Sequence, residues 1–243
     1  EAHTALRGDA ARGTALQWGE DRADSLVADG TLPGRGGSGR LQLRADGLTY
    51  AGQDIEHAGL LLTGSLAALR MQADLAGEPG TLALEATAAG ADGNWRGRLQ
   101  SLRLAPALGA NWTLQAPAAY RVVDGNVFLE RACLRADGPG GDLCFVMNGR
   151  TGTVHGEKLP LALLEPWLRD ESFKPFGDVD LDGRFARGAA GWGGDVKLRS
   201  PRGGLRLDPN SPREVIGYSA LSLDASLQGD RLSLALATQL PEE

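Results

Sequence analysis

Aromatic residues are scarce in this chain, at 5% of 243 positions, and no apolar run approaches the ~18 residues that a membrane-spanning helix needs. The second scarcity excludes a helical membrane span. The first leaves few large side chains to fill a core. Histidine occurs three times, at His3, His57 and His155, each in a polar setting without a second ligand at metal spacing, so no metal site is nominated. No Ser/His/Asp ordering and no nucleophile elbow is present, so no residue is nominated as catalytic and no cofactor is expected. The net charge is −6, and no basic stripe with interleaved aromatics exists to track phosphates, which argues against nucleic acid as a partner. There is no initiator Met and no signal-like apolar segment, and the chain is expected to be a fragment of a longer protein.

What the chain does have is leucine at every second position, in short bursts separated by Gly, Asp and Pro. Leu41/Leu43, Leu82/Leu84, Leu102/Leu104, Leu221/Leu223 and Leu232/Leu234/Leu236 are examples. A period of two is the strand period, with one apolar face and one face of Arg, Asp, Gln or Ser. The 35 glycines show no three-residue period and fit frequent tight turns. Strands are expected at 40–50, 58–64, 68–76, 81–89, 94–105, 111–116, 119–123, 126–135 and 142–149, then at 177–187, 193–200, 203–208, 216–228 and 231–240. Residues 1–39 are weakly patterned, with short strands possible only at Thr14 to Trp18 and Ser25 to Ala28. Leu161, Leu164 and Leu168 fall at helical spacing behind Pro160, which predicts one short helix over Leu159 to Asp170, cut short by Pro166. The expected class is therefore all-β, divided as 1–158, a helical insertion at 159–171, and a continuing β segment at 172–243. A meander this long curls or splits as twist accumulates, leaving a closed barrel, a two-sheet sandwich or a lengthwise trough.

The inward face is expected to carry Leu82, Leu84, Leu102, Leu104, Leu114, Leu129, Phe145, Leu181, Leu198, Leu207, Leu223, Leu234 and Leu236. Arg103, Arg199, Arg206 and Asp224 are expected outside. Cys133 and Cys144 flank the turn from Asp137 to Asp142, where a hairpin brings them nearly opposite. A cross-strand disulfide is then available, the alternative being two separate buried thiols. With Leu143, Phe145 and Met147 on the apolar face, Cys133 reaches the face of Cys144 only if the first strand bulges near Glu130 or Arg131. A disulfide would imply an oxidising compartment.

Three strings have bland explanations. Gly34 to Gly39 matches G-x-G-x-x-G but lacks a strand before it and a helix after it. Asp178 to Gly183 resembles the start of a calcium loop, but the twelfth position is Ala189 and the Val/Leu alternation is that of a strand. Asn111-Trp112-Thr113 is a formal glycosylation sequon inside an apparent strand. Trp95, Trp112 and Trp192 open strands, either closing the end of a core or forming an amphipathic lip.

Several segments in order resemble the TamB family, a group related to AsmA-like proteins. They are Gly64 to Arg70; Trp95 to Leu99 with Leu102 and Leu104; Trp112 to Leu114 with Pro117; Cys133-Leu134 with Leu143-Cys144; Lys158 to Leu164; and Gly177 to Gly183. The resemblance runs from about Gly59 to Leu240 and implies a middle segment of such a protein. It implies a β-taco, a long antiparallel sheet folded lengthwise into a trough with an apolar interior. It also implies a periplasmic setting, an inner-membrane anchor outside this segment, and an outer-membrane partner of the Omp85 class. The function implied is a hydrophobic conduit whose inward residues hold phospholipid acyl chains. A scaffold for outer-membrane β-barrel and autotransporter assembly is the alternative, and a sandwich that binds carbohydrate or another protein is a third.

Overall fold

The computed structural model describes residues 3–7, 10–18, 21–31, 37–50, 52–91, 93–107, 109–138, 140–162, 174–188, 191–207, 214–229 and 231–239. The chain divides into two compact units, Glu1–Ala107 with Asn111–Gly125, and Leu108–Ala110 with Asn126–Glu243. The first holds strands β1 (His3–Arg7), β2 (Ala10–Trp18), β3 (Asp21–Thr31), β4 (Gly39–Tyr50), β5 (Gln53–Ser65), β6 (Ala68–Gly77), β7 (Gly80–Ala91), β8 (Asn94–Pro106), β9 (Trp112–Leu114) and β10 (Ala118–Val123). The second holds β11 (Asn126–Ala136), β12 (Asp142–Gly149), β13 (Thr151–Pro160), β14 (Lys174–Gly188), β15 (Gly191–Ser200), β16 (Gly203–Arg206), β17 (Glu214–Tyr218), β18 (Ala220–Gln228) and β19 (Arg231–Gln239).

In the first unit β1 to β8 form an antiparallel meander, each strand pairing with the next. β8 then takes β9 along its Arg103–Leu104 end and β10 along Trp95 to Leu99. In the second unit β11 to β15 continue as a meander, and β18 and β19 extend it beyond β15. β14 changes partner along its length. Its first residues, Lys174 to Gly177, pair with β16, which in turn pairs with β17.

Register explains why the leucine bursts matter. Leu43, Leu60, Ala73, Leu84 and Leu102 stand opposite one another across β4 to β8. Leu134, Leu143, Gly156, Leu181, Leu198, Leu223 and Leu236 do the same across the second unit. A slip of one residue in any ladder would turn a whole strand's leucines to the charged face, so the alternation itself selects the register.

Bulges adjust the phase where alternation breaks. Between Leu129 and Ala132 the β11–β12 register shifts, two residues on β11 facing Val146 alone. This is the position at which the pattern requires an extra residue. It keeps Leu129 and Leu134 on the apolar face while setting Cys133 directly opposite Cys144 on the other face, where the two are joined as a disulfide. Arg135 grips Asp142 on that same face with two hydrogen bonds, of 2.9 and 3.0 Å.

Three expectations need correction. Leu159 and Pro160 are strand rather than helix, because the β13 ladder runs on through Leu159↔Val179 and Pro160↔Asp178; only a 3₁₀ turn at Leu161–Ala162 follows, and residues 163–170 lie outside the described residues. The weakly patterned N-terminal stretch holds more strand than the two short ones expected, which fall within β2 and β3. Ala, Thr and Gly there give no leucine signal, yet their backbones pair along most of β1 to β3. Finally, residues 151–158, assigned to no strand by the pattern, form most of β13. Its inward positions are Gly152, Val154 and Gly156, and glycine erases the apolar alternation.

Those glycines have a packing reason. A Cβ on Gly152 would collide with the Phe185 ring and the Met147 sulfur, so the large neighbours lie over the space glycine leaves. Gly152→Leu is therefore expected to overpack the face and to lower stability by about 1–3 kcal/mol, read from the urea midpoint. Thiol titration of denatured, unreduced protein should find no free cysteine, and reducing the bond, which closes a span of 11 residues, should cost on the order of 3 kcal/mol.

Candidate functional site, an uncovered apolar face

Each unit presents a sheet with one apolar and one charged face, and the apolar face is incompletely covered. Among the described residues no large side chain is fully buried. In an ordinary domain a second layer would take leucines such as Leu84 and Leu181 fully out of water. Here they stay partly accessible.

Leu82, Leu84, Leu102 and Leu104 lie on the apolar face of the first unit, partly accessible, and Leu114 is buried on β9. Trp112, 4% exposed, stands opposite Leu104 and closes that end of the face. In the second unit Leu129, Phe145, Leu181, Leu198 and Leu223 share one face and are partly accessible. Leu234 and Leu236 belong to the same rows but are 64% and 66% exposed, because β19 has a described strand on one side only. Leu207, 60% exposed, departs from the expectation. It lies in a bend past the last β16 pair, Arg206↔Glu214, where no ladder holds it on a face.

Arg103, Arg199 and Asp224 are exposed as expected of outward residues, but Arg206 is not a plain outward charge: its guanidinium lies 4.0 Å over the Phe176 ring. The apolar faces of the two units also carry Leu60, Met71 and Val154, which the expected set left out. Trp192 is exposed and meets Phe185 edge-on at 5.8 Å between ring centroids. These two rings, with Leu227, Gly152 and Gly194, border a recess of about 920 Å³.

The opposite face is built of ion pairs. Asp46 on β4 accepts from Ser25 and faces His57 on β5, contacts that hold its carboxyl below the usual carboxylate range. His57 also reaches Asp74 on β6, at 3.1 Å. The string from Asp178 to Gly183 is plain strand, with Asp178, Asp180 and Asp182 exposed and Val179 and Leu181 turned the other way. Among the described residues no cluster of His, Cys, Asp and Glu is disposed to hold a metal ion. The G-x-G-x-x-G string begins outside the described residues. No helix among them is long and apolar enough to cross a membrane.

Comparison with curated proteins and with solved structures gives no match. Comparison with protein families gives one that covers nearly the whole chain: residues 9–243 match TamB, N-terminal domain. With that match over an all-β chain of alternating strands, the protein belongs to the TamB family.

Proposed function

We propose that this chain is a section of a non-enzymatic hydrophobic conduit, carrying phospholipid between inner and outer membranes across the periplasm and so contributing to outer-membrane integrity. The observation that carries the reading is the apolar face of each unit, regular in register and incompletely covered among the described residues. Acyl chains supply the missing layer. Each methylene moved from water onto such a face gains ~0.8 kcal/mol, so two acyl chains are held strongly while sliding along rows of equivalent leucines costs little. Headgroups remain hydrated at the margin. No residue need perform covalent chemistry, and no cofactor is called for. Family membership supports a part in the translocation and assembly module or in lipid transport.

A second reading, a scaffold for outer-membrane β-barrel and autotransporter assembly, is favoured by β19. Every one of its described residues is exposed, and such an edge can accept a further strand by main-chain hydrogen bonds. Lipid extraction separates the two readings: phospholipid that co-purifies with the chain supports the conduit, and a lipid-free chain that captures β-strand peptides supports the scaffold.

Photo-crosslinkers at Leu84, Leu102, Leu181 and Leu198 are expected to capture phospholipid, and those at Arg103, Arg199 and Asp224 to capture none; equal labelling of both faces overturns the conduit. Leu104→Asp and Leu198→Arg should leave the chain folded but cut lipid crosslinking, because a charge that keeps its water interrupts the apolar path. Arg103→Asp should leave crosslinking unchanged. Normal lipid capture in both inward variants would exclude the reading.

A further inference from the structure

The charged face of the second unit carries an imidazole held between two acids. His155 on β13 has Nδ1 2.7 Å from Asp182 Oδ1 on β14, and Nε2 3.1 Å from Glu157 Oε1 two residues along its own strand. An ionised carboxylate only accepts hydrogen bonds. A neutral imidazole has a single N–H, so it would meet one of these acids with a bare lone pair, whereas an imidazolium donates to both. The two ring nitrogens also face different acids, so the arrangement suits a held cation and does not converge on a shared metal ion.

The place of this ring in the sheet gives it a consequence. Between Gly156 and Leu159 the β13–β14 register shifts, Glu157 and Lys158 together facing Asp180. Lys158 takes a left-handed φ of 51°, and its N–H leaves the ladder to donate to Asp180 Oδ1 at 2.9 Å. The irregularity continues into the next strands. At Gly177, with φ of 107°, β14 gives up β16, and it takes β15 from Asp180 onward. Pro201–Arg202 separates β15 from β16, and Ser219 separates β17 from β18. Ser200, 2% exposed, donates to the Asp178 carbonyl at 2.6 Å and accepts from the Tyr218 hydroxyl at 2.8 Å. A crease therefore crosses β13, β14, β15–β16 and β17–β18. Glu157 lies in its bulge, and Asp182 lies just beyond it on the neighbouring strand.

We propose that His155, as an imidazolium between Glu157 and Asp182, is a pH-dependent clasp that fixes this crease and releases the β13 bulge as pH rises. The groups around it come from every neighbouring strand. On β12, Cys144 of the disulfide stands opposite His155, and Asp142, held by Arg135 of β11, stands opposite Glu157; Arg131 of β11 lies 3.7 Å from the Cys144 sulfur. Glu157 and Lys158 flank the ring on β13, and β14 brings Asp180, Asp182 and Arg184. On β15, Lys197 stands opposite Asp182 and Arg199 opposite Asp180. The hydrogen bond that His155 donates to Asp182 first, then the one it donates to Glu157, raises its pKa above the usual value. A raised folded value places the clasp's full contribution below the ordinary histidine pKa of about 6.5, with loss as pH climbs through the folded value. The site is open to solvent, so the effect is local to the bulge and hardly alters global stability.

Side-chain ¹⁵N NMR of the whole chain tests this. Expected at pH 6.5 is a His155 ring protonated on both nitrogens, with a midpoint above that of free histidine. Asp182→Asn combined with Glu157→Gln should return the midpoint to the free value. Hydrogen exchange at Lys158, corrected for its intrinsic pH dependence, should step upward through the same midpoint. Opening should rise about tenfold for each pH unit separating that midpoint from free histidine. The step should vanish in His155→Gln. A neutral ring at pH 6.5, a midpoint unmoved by the paired substitution, or exchange without a step each overturns the proposal. Should a variant fail to fold, the wild-type titration and its exchange profile still decide.

Discussion

The antiparallel ladder, kept in a register that never lets the two faces exchange, is the constraint on which the rest of this chain depends. Each unit extends by adding a strand whose backbone groups pair with the last one, and the side-chain period of two then assigns every residue to a face. Because these faces are incompletely covered among the described residues, much of the lateral cohesion comes from cross-strand neighbours such as Leu43–Leu60 and Leu181–Leu198. Long strands with many such pairs compensate for the dense core the chain lacks.

Where the sequence departs from strict alternation, the backbone absorbs the difference in bulges, and chemistry collects beside them. The shift between Leu129 and Ala132 puts two cysteines on the charged face without moving a leucine off the apolar one. The shift after Gly156 turns a lysine amide onto an aspartate and leaves a glutamate within reach of His155. Another, between Ile55 and His57, adjoins the histidine that links Asp46 and Asp74 across three strands of the first unit. In both units an irregularity of the ladder lies next to a histidine between two carboxylates, so charge pairing gathers where ladder bonding is weakest.

The proposed conduit asks little of individual residues and much of their repetition. An acyl chain has no directional groups, so any leucine in a row can replace the next, and function is spread over a surface. Glycine shapes that surface as much as leucine does: Gly152 and Gly156 let Phe185, Met147, Leu143 and Leu159 lie across neighbouring strands instead of standing apart. An aromatic-poor composition agrees with this, since bulky rings would interrupt a uniform apolar lane. Of the rings on the face, Trp112 closes an end and Phe185 lies beside glycine.

The amino-acid order alone determined the strand content, the two-faced character of the sheet, the bulge that the cysteines require, and most of the inward leucines, because a period of two is a local property visible without knowing any partner. It did not reveal β13, whose inward glycines make sense only beside Phe185 and Leu143 on other strands, nor β1 and the full extent of β2 and β3, whose small residues are held by backbone pairing. It suggested a helix at Leu159 that the β13–β14 ladder overrides, and an inward Leu207 that no ladder reaches. The acid pairs around His57 and His155 were likewise hidden. Asp46, Asp74 and Asp182 are distant in sequence from their histidines, and only strand register, a tertiary decision, brings them within hydrogen-bonding range.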